Sequence, residues 1–276
     1  MRKLLLGKYV CYLVFCLCFF FASCSKEEPT IVRINQEEFT PEEQLKIGEY
    51  LLEVSQQTDD LFNPLDPDQY LELHNYLNTL VEMLAYTELV ENSRTFSWQV
   101  NVLQDDNYYS AFMLPGGSLF ISTGLLKLVK NESELVALIA HEMMYADQGV
   151  VIEGLKEEFG GAILADVLLG NEITSEEGRA LVQGIRQMTF TAEQVEEADA
   201  YAVQTICPFQ YNATSMIDLL NRVEEYSTVE TIAWKEGRPG ELAERITQLL
   251  TAIEKCDTRN GDEYEERYQD MISTLP

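Results

Sequence analysis

One short segment of the sequence has residue types that could bind a metal ion and activate water. His141 is followed directly by Glu142, and Tyr145 stands one helical turn after His141. In zinc hydrolases, a helix carries two His at this spacing because residues one turn apart can both reach the same metal. The Glu between them acts as general base on the zinc-bound water. His141 and Glu142 therefore fit the first ligand and the base, whereas Tyr145 occupies the position of the second ligand.

Few other side chains in the sequence could complete such a site. The chain has 2 His, and the second, His74, has the spacing of a helix-face residue that gives no reason to place it near this motif. The sequence contains no Cys-x-x-Cys pair and no Cys/His cluster, which excludes a thiolate zinc site. Tyr145 is a poor substitute, because a phenol has a pKa of about 10 and stays protonated at neutral pH. One clear ligand cannot hold zinc tightly.

Segments before and after the His141-Glu142 motif also have recognisable sequence patterns. It is preceded by residues 110–117, SAFMLPGG, and followed by residues 190–199, FTAEQVEEAD, and by residues 244–246, ERI. Together and in this order, they resemble metallopeptidase family 48 over roughly residues 70 to 250. The resemblance implies a gluzincin-type fold, in which zinc is held by two His of one helix and a Glu of a second helix, and it implies zinc endopeptidase activity.

The family pattern can be carried over position by position. It reads Asn-Ala-Phe-x-x-Pro-Gly-Gly, then His-Glu-x-x-His, then Ser-Arg-x-x-Glu-x-x-Ala-Asp, then His-Pro and Glu-Arg-Ile. The resemblance assigns His141 as the first zinc ligand and Glu142 as the general base. Asp199 matches the residue that orients the first His from outside the metal shell. Tyr145 replaces the second ligand His, and Val195 replaces the ligand Glu.

Other departures from the pattern concern the same site. Ala192 stands where the motif has Arg, and Arg238 stands where the late His precedes Pro239. Glu196 neighbours the third ligand position, but one residue along a helix is rotated by about 100°, so Glu196 is expected to face away. We predict that zinc is a cofactor only if the protein is active, and we expect none to be bound.

The replacements also predict how the site is filled. Val195, Ala198 and Ala202 form one apolar stripe on the second helix. Tyr145 is large enough to fill the space that a metal and its water would leave. We expect His141 and Asp199 to remain hydrogen-bonded.

The sequence leaves three functions open, of which the first two are implied by the resemblance. The first is a non-catalytic relative of the zinc endopeptidases that binds polypeptides or partner proteins in its cleft. In the family, the edge strand leading into the Pro-Gly-Gly turn lies beside the cleft, and extended peptides can pair with such an edge. The residues of this substrate strand and its turn are Ser110, Ala111, Phe112, Pro115, Gly116 and Gly117. The second function is an active metalloendopeptidase that cleaves envelope or extracellular proteins, with Tyr145 or Glu196 as atypical ligands. The third is a structural surface lipoprotein.

Helices and short strands must position these residues. Four segments resemble helix starts, with a capping side chain followed by Pro or by Glu or Gln within the first turn. They begin at Thr40, Asp66, Asn131 and Thr191. Alternating or short β-like runs predict strands over residues 98–102, 111–114 and 118–122. Residues 161–170, GAILADVLLG, are small and apolar and predict a buried helix or a lid. The predicted fold class is α+β, mostly helical and gluzincin-like, with a small β-sheet beside the helix that carries His141.

The first residues predict export and lipidation. Residues 1–23 have a basic start and an apolar run that is too short to span a membrane, which is typical of a secretory signal peptide. Small residues precede Cys24, as at a bacterial lipoprotein cleavage site; an ordinary signal peptide with a chance Cys is the less favoured alternative. We predict a lipoprotein signal peptide over 1–23, an acidic tether over 24–39 and a single peptidase-like domain over 40–276. The expected location is the bacterial outer membrane, facing the periplasm or surface-exposed, with the membrane as a partner through lipidated Cys24.

The net charge limits which partners the protein can bind, and the cysteine content limits which disulfides it can form. The formal net charge of −28 becomes −31 when the three basic residues of the signal peptide are removed. Nucleic acid and anionic membrane surfaces repel such a chain, so we expect no nucleic-acid partner. Besides Cys24, the mature chain keeps Cys207 and Cys256, which in an oxidising compartment could form a disulfide or remain as two buried thiols.

Overall fold

The structure is a computed structural model that describes residues 34–57, 62–226, 242–256 and 261–276. Asn35–Pro276 forms one compact unit. The predicted signal peptide, Cys24 and the first part of the predicted tether lie outside the described residues, as do Arg238 and Pro239. The bounds of the signal peptide and the tether therefore stay predictions.

Helices dominate the described part of the chain. Two precede the sheet: α1 (Pro41–Gln56) and α2 (Leu71–Ala85). The strands are β1 (Gln99–Leu103), β2 (Ala111–Met113) and β3 (Ser118–Ser122). The helices after the sheet are α3 (Thr123–Leu128), α4 (Glu132–Asp147), α5 (Val150–Phe159), α6 (Gly161–Leu169), α7 (Ser175–Gln187), α8 (Ala192–Ile206), α9 (Ser215–Tyr226), α10 (Leu242–Ile253) and α11 (Glu265–Ile272). The predicted α+β class, mostly helical with a small sheet, is confirmed.

The three strands form one mixed sheet in the order β1–β3–β2. β1 runs parallel to β3, and β2 runs antiparallel to it, with Phe112 opposite Phe120. All residues of β3 are buried, as expected for the central strand of a covered sheet. β2 is therefore an edge strand, and α4 packs against it.

Helix α4 is the centre of the core. Each of its residues is buried, and it contacts α2, α5, α8 and α9 as well as β2 and β3. Two buried carboxylates in its first turn are neutralised by Arg side chains from later helices. Arg267 pairs with Glu132, and Arg222 binds Glu134 at two points, with N–O distances of 2.6 and 2.9 Å. Because each carboxylate is paired with an Arg, α4 can begin with charged residues although the helix is buried on all sides.

Within the described residues, no single helix is long and apolar enough to cross a membrane. Only α4 and α5 together, with a bend of 56° between them, reach that length and composition. Every residue of α4 is buried within the protein.

Local capping signals predicted most of the helix starts correctly. Thr40 and Thr191 each form a reciprocal capping box at the start of α1 and α8. Asn131 caps α4 by accepting a hydrogen bond from a backbone N–H of the first turn. Side-chain signals within one turn of the chain were therefore sufficient at these three positions.

The predicted helix start at Asp66 was wrong, because α2 begins at Leu71. The Asp66 side chain accepts a hydrogen bond from the backbone N–H of Asp68 at 2.9 Å. Its carbonyl accepts another from the N–H of Tyr70 at 3.0 Å. Asp66 thus closes a turn instead of capping the helix, which begins after that turn.

Candidate metal centre

Two helices carry the residues that the sequence assigned to the metal site. His141, Glu142 and Tyr145 lie on α4, and Val195 and Asp199 lie on α8. The two helices pack against each other, and all five side chains are buried. Among them, His141 contacts both Tyr145 and Asp199 directly.

The imidazole of His141 is held on one side by Asp199. Nδ1 of His141 lies 3.0 Å from Oδ1 of Asp199, so the predicted pair is in contact. Arg245 of α10 binds the same carboxylate, with Nε 2.6 Å from Oδ2 and Nη2 2.8 Å from Oδ1. Burial alone would raise the pKa of Asp199, but the hydrogen bonds from Arg245 and His141 outweigh burial and lower it. The ionised carboxylate favours the proton on Nδ1, which leaves Nε2 as an acceptor.

Tyr145 occupies the second ligand position with a hydroxyl that contacts the imidazole itself. This hydroxyl lies 3.2 Å from Nε2 of His141, and the two rings meet edge to face at 5.3 Å. The Tyr145 ring also stacks on Phe190, with centroids 3.7 Å apart and planes 2° from parallel. The nitrogen that would coordinate a metal is therefore in hydrogen-bond contact with Tyr145, whose ring is fixed by Phe190.

The third ligand position has no donor atom. Val195 lies there, and it is buried together with Ala198 and Ala202 in the predicted apolar stripe of α8. The neighbouring Glu196 accepts a hydrogen bond from Gln248 Nε2 of α10 at 2.6 Å. Its carboxylate is thus engaged by α10, in keeping with the expectation that it faces away from the metal position.

The predicted general base and the second His are also enclosed. The Glu142 side chain is 2% exposed, although a catalytic base must reach water and substrate. His74 lies on α2, which packs against β1, and it is buried there. The structure gives no contact that brings His74 to His141.

The predicted substrate strand lies at the edge of the sheet. Ser110 and Leu114 hydrogen-bond to β3 through their backbone, each at 2.9 Å. Hydrogen-bonded and non-hydrogen-bonded pairs alternate in an antiparallel ladder, so Phe112 also bonds to β3. Ala111 and Met113 therefore direct their N–H and C=O groups away from β3. The whole strand is buried, with Ala111 9% and Met113 1% exposed, and α7 packs against it, so the protein itself covers most of its outer backbone.

The Pro-Gly-Gly turn after this strand is packed beneath α1. Gly116 and Gly117 have φ angles of 82° and 99°, which glycine adopts without strain. A Cβ added to Gly48 of α1 would lie 1.7 Å from the carbonyl oxygen of Pro115. The three turn residues thus position β2 and are covered by the protein itself.

Comparison with known proteins places the chain in a family. Residues 72–253 match the sequence profile of Peptidase family M48. This span is more than half of the chain, and the chain therefore belongs to peptidase family M48. The resemblance seen in the sequence motifs is confirmed.

Two relatives illustrate the similarity. The chain is 25% identical over 160 residues to the mitochondrial metalloendopeptidase OMA1 of Saccharomyces cerevisiae, which covers 56% of this chain and 46% of that protein. It is 22% identical over 230 residues to the beta-barrel assembly-enhancing protease of Escherichia coli, which covers 79% of this chain and 43% of that protein. The chain spans less than half the length of these curated relatives.

The donor set does not fit the zinc site of this zinc-dependent family. A catalytic zinc needs three protein ligands and an open position for water. Here Nε2 of His141 contacts the Tyr145 hydroxyl, the Tyr145 ring is stacked on Phe190, and Val195 offers no donor. Across the described segments of the chain, no group of three or more His, Cys, Asp or Glu side chains is placed to hold a metal ion.

Sequence reasoning missed two residues of this cluster. Arg245 was recognised within a family motif but not as the partner of Asp199, from which it is 46 residues distant. Phe190 directly precedes the capping Thr191, a position from which an apolar side chain often packs on the first turn of the helix. That local signal could have identified Phe190, whereas no local signal pairs Arg245 with Asp199.

Proposed function

We propose that this member of family M48 is a lipid-anchored, non-catalytic relative of the zinc endopeptidases that binds extended polypeptides along β2. The observation that carries the proposal is the contact between the Tyr145 hydroxyl and Nε2 of His141 at 3.2 Å. A ligand nitrogen engaged in this way has exchanged its metal for a protein hydrogen bond. The rest of the site supports the same conclusion.

The replaced ligands form a consistent apolar and hydrogen-bonded core. Tyr145 stacks on Phe190, and Val195 joins a buried stripe, so neither position keeps space or charge for a divalent ion. Asp199, which is itself bound by Arg245, orients His141 through Nδ1. The scaffold of the family and the general-base position, Glu142, are retained, whereas the second and third zinc-ligand positions are replaced by Tyr145 and Val195.

The edge of β2 supports polypeptide binding. The N–H and C=O groups of Ala111 and Met113 are not used by β3, and an added strand would pair with them by displacing the side chains of α7 that cover β2. This mode suits a protein that holds extended chains without cutting them. We further propose that Cys24 anchors the protein in the outer membrane, facing the periplasm or the outside.

The zinc content of the purified protein tests whether the contact between Tyr145 and His141 stands in place of a bound metal ion. The full chain is expressed with its own leader, purified, dialysed against trace zinc and analysed for bound zinc. We expect no stoichiometric zinc in the native protein and restored binding in the double variant Tyr145→His/Val195→Glu. About one zinc per native chain would overturn the proposal. Proteolysis that disappears in Glu142→Gln would then establish the active alternative.

Peptide binding is tested separately with a matched pair of variants. A library of short extended peptides that carry a photo-crosslinker is expected to label residues 110–114. Ala111→Pro removes an outward N–H without breaking the ladder to β3, and it should abolish labelling. Ala111→Val keeps that N–H and serves as the control. Absence of labelling in the native protein would contradict this part of the proposal.

A further inference from the structure

A surface groove of about 700 Å³ lies between the end of α2 and the end of α8. Residues 86–89, which directly follow α2, form one wall. The other wall consists of Gln204 of α8 and of Pro208 and Phe209, which follow that helix. None of these lining residues belongs to the metal positions or to β2. A concave site of this volume is large enough for a small molecule or a short segment of chain.

One buried carboxylate holds both walls of the groove. The Asp147 side chain at the end of α4 accepts hydrogen bonds from the backbone N–H groups of Glu91 and Asn92, which closely follow the first wall, at 3.1 and 2.9 Å. It also accepts one from the hydroxyl of Tyr201 at 2.9 Å, and Tyr201 lies three residues before Gln204 on α8. Because both walls are tied to the same group, the groove is preformed, and a ligand does not have to order it on binding.

Two groups of the first wall have no partner among the described residues. Tyr86 is 79% exposed, and within that part of the chain its ring contacts no other ring and its hydroxyl makes no hydrogen bond. The exposed Glu88 carboxylate forms no ion pair with a described cation, including Arg94, which follows it by six positions. Phe209 contributes a second, half-buried ring from the opposite wall. Aromatic rings and a free carboxylate together attract a cation.

The distribution of charge limits what can occupy the groove. Glu88 is the charged residue of its lining, and residues 200–212 of the second wall contain no Lys, Arg, Asp or Glu. The disulfide of Cys207 with Cys256 brings Glu254 and Lys255 towards this wall as adjacent opposite charges. The whole chain has a formal net charge of −28. Nucleic acid, anionic lipid or a second copy of this chain would therefore be repelled, whereas a basic partner would be attracted.

We propose that this groove binds a short segment of a basic polypeptide, with a Lys or Arg side chain between the Tyr86 ring and the Glu88 carboxylate, and with a neighbouring apolar side chain on Pro208 and Phe209. The cation then interacts with both the face of the ring and the carboxylate. A polypeptide suits the site because exposed residues border the groove on both walls, so that it is not an enclosed cavity. The site uses neither the zinc positions nor β2, and the inference goes beyond the proposed function.

The binding of a defined peptide tests this proposal. The full chain is expressed with its own leader and purified in a neutral detergent, and the probe is a dansyl-labelled Gly-Leu-Arg-Leu-Gly peptide followed by fluorescence anisotropy. We expect the same peptide with citrulline in place of Arg to bind about tenfold more weakly or worse, because citrulline keeps the shape of Arg and lacks its charge. Glu88→Gln should weaken binding of the Arg peptide by a similar factor, and Tyr86→Ala should weaken it by about two- to fivefold.

Two further variants serve as controls. Glu72→Gln removes an exposed carboxylate from the other end of α2 and changes the net charge by the same amount as Glu88→Gln, but it should leave binding unchanged. Tyr86→Phe keeps the aromatic ring and should also retain binding. The unfolding midpoint of each variant shows that a loss of binding is not a loss of the fold.

Several results would overturn the proposal. They are absence of binding of the Arg peptide, equal affinities of the Arg and citrulline peptides, and equal losses in Glu88→Gln and Glu72→Gln. A photo-leucine version of the peptide should crosslink to residues 86–89 or 204–209, and it should do so in Ala111→Pro as well. Crosslinks confined to residues 110–114 would refute this site and leave peptide binding at β2 intact.

Two other occupants of the groove are also distinguishable. Free spermidine that displaces the peptide with equal affinity would identify the occupant as a small amine. A dimer of the native protein in analytical ultracentrifugation that dissociates in Tyr86→Ala would identify it as a second copy of the chain. Either result would overturn the assignment to a basic polypeptide.

Discussion

The hydroxyl of Tyr145 lies 3.2 Å from Nε2 of His141, the atom through which this His would bind zinc in an active relative. The contact satisfies a buried acceptor that would otherwise lose a hydrogen-bond partner together with the metal. The replacement of a ligand by Tyr therefore compensates for the loss of zinc instead of leaving a vacant polar site. Stability measurements can separate the contribution of the hydroxyl from that of the ring.

Removing the hydroxyl alone should have a moderate effect. Tyr145→Phe keeps the stack on Phe190 but leaves Nε2 of His141 without this contact, so we expect a loss of about 1–3 kcal/mol in the free energy of unfolding. Tyr145→Ala also removes a fully buried ring and should cost about 3–5 kcal/mol. Urea unfolding monitored by circular dichroism measures both. An unchanged free energy of unfolding in Tyr145→Phe would show that the hydroxyl contributes nothing, and equal losses in the two variants would show that the ring adds nothing beyond the hydroxyl.

The pairing of Arg245 with Asp199 predicts strong coupling between α8 and α10. Both side chains are buried, so Arg245→Met leaves a carboxylate without its main partner and should destabilise the protein by about 3–5 kcal/mol. The double variant Arg245→Met/Asp199→Asn removes that uncompensated charge. We expect it to be more stable than Arg245→Met alone, as measured in a double-mutant cycle. A double variant whose loss equals the sum of the two single losses would contradict direct coupling.

The local parts of the fold could be predicted from the sequence because their determinants lie within one turn. Thr40 and Thr191 cap helices through residues three positions later, and the apolar–polar alternation over residues 98–102 marks β1. Asp66 shows the limit of such signals. A capping side chain followed by Pro fits both a helix start and a turn, and the packing of the rest of the chain decides between them.

The candidate site was predicted in part for the same reason. The residues at the ligand positions follow from motif spacing, and the contact of His141 with Asp199 follows from the family pattern. The partners that fill the site, Phe190 and Arg245, come from other elements and depend on how α4, α8 and α10 pack. The apolar sequence of α6 predicted a buried helix or a lid, but Leu169 is 49% exposed, so the expectation of full burial was wrong. The exposure of α6 likewise depends on what its neighbours leave uncovered, which its own apolar sequence does not record.

The disulfide between Cys207 and Cys256 settles an alternative that the sequence left open. It links the end of α8 to the segment after α10 across a sequence separation of 49 residues. A cross-link over such a loop restricts the unfolded chain, so Cys207→Ser/Cys256→Ser should lower the free energy of unfolding by about 3–5 kcal/mol. The unfolding midpoint of the native protein, measured with and without reductant, provides the comparison. If reduction leaves the unfolding midpoint unchanged, the bond does not contribute in this way.

A second buried His predicts that the fold is sensitive to mild acid. Burial lowers the pKa of His74 and outweighs the contacts with Leu65, Val100 and Asp66, which raise it. Its Nε2 has no hydrogen-bond partner in the described structure. Protonation therefore favours the unfolded state, in which the pKa of His is about 6.5.

The sign of the effect follows from proton linkage. Below the unfolded pKa, the unfolded chain binds more protons at this site than the folded chain, so stability falls as pH is lowered from about 6.5 through the folded pKa. His74→Gln cannot titrate and should show a flatter dependence of the unfolding midpoint on pH over this window. His141 is present in both proteins, so its own titration cancels in the comparison. Parallel pH profiles for the native protein and His74→Gln would exclude His74 as the source of acid sensitivity.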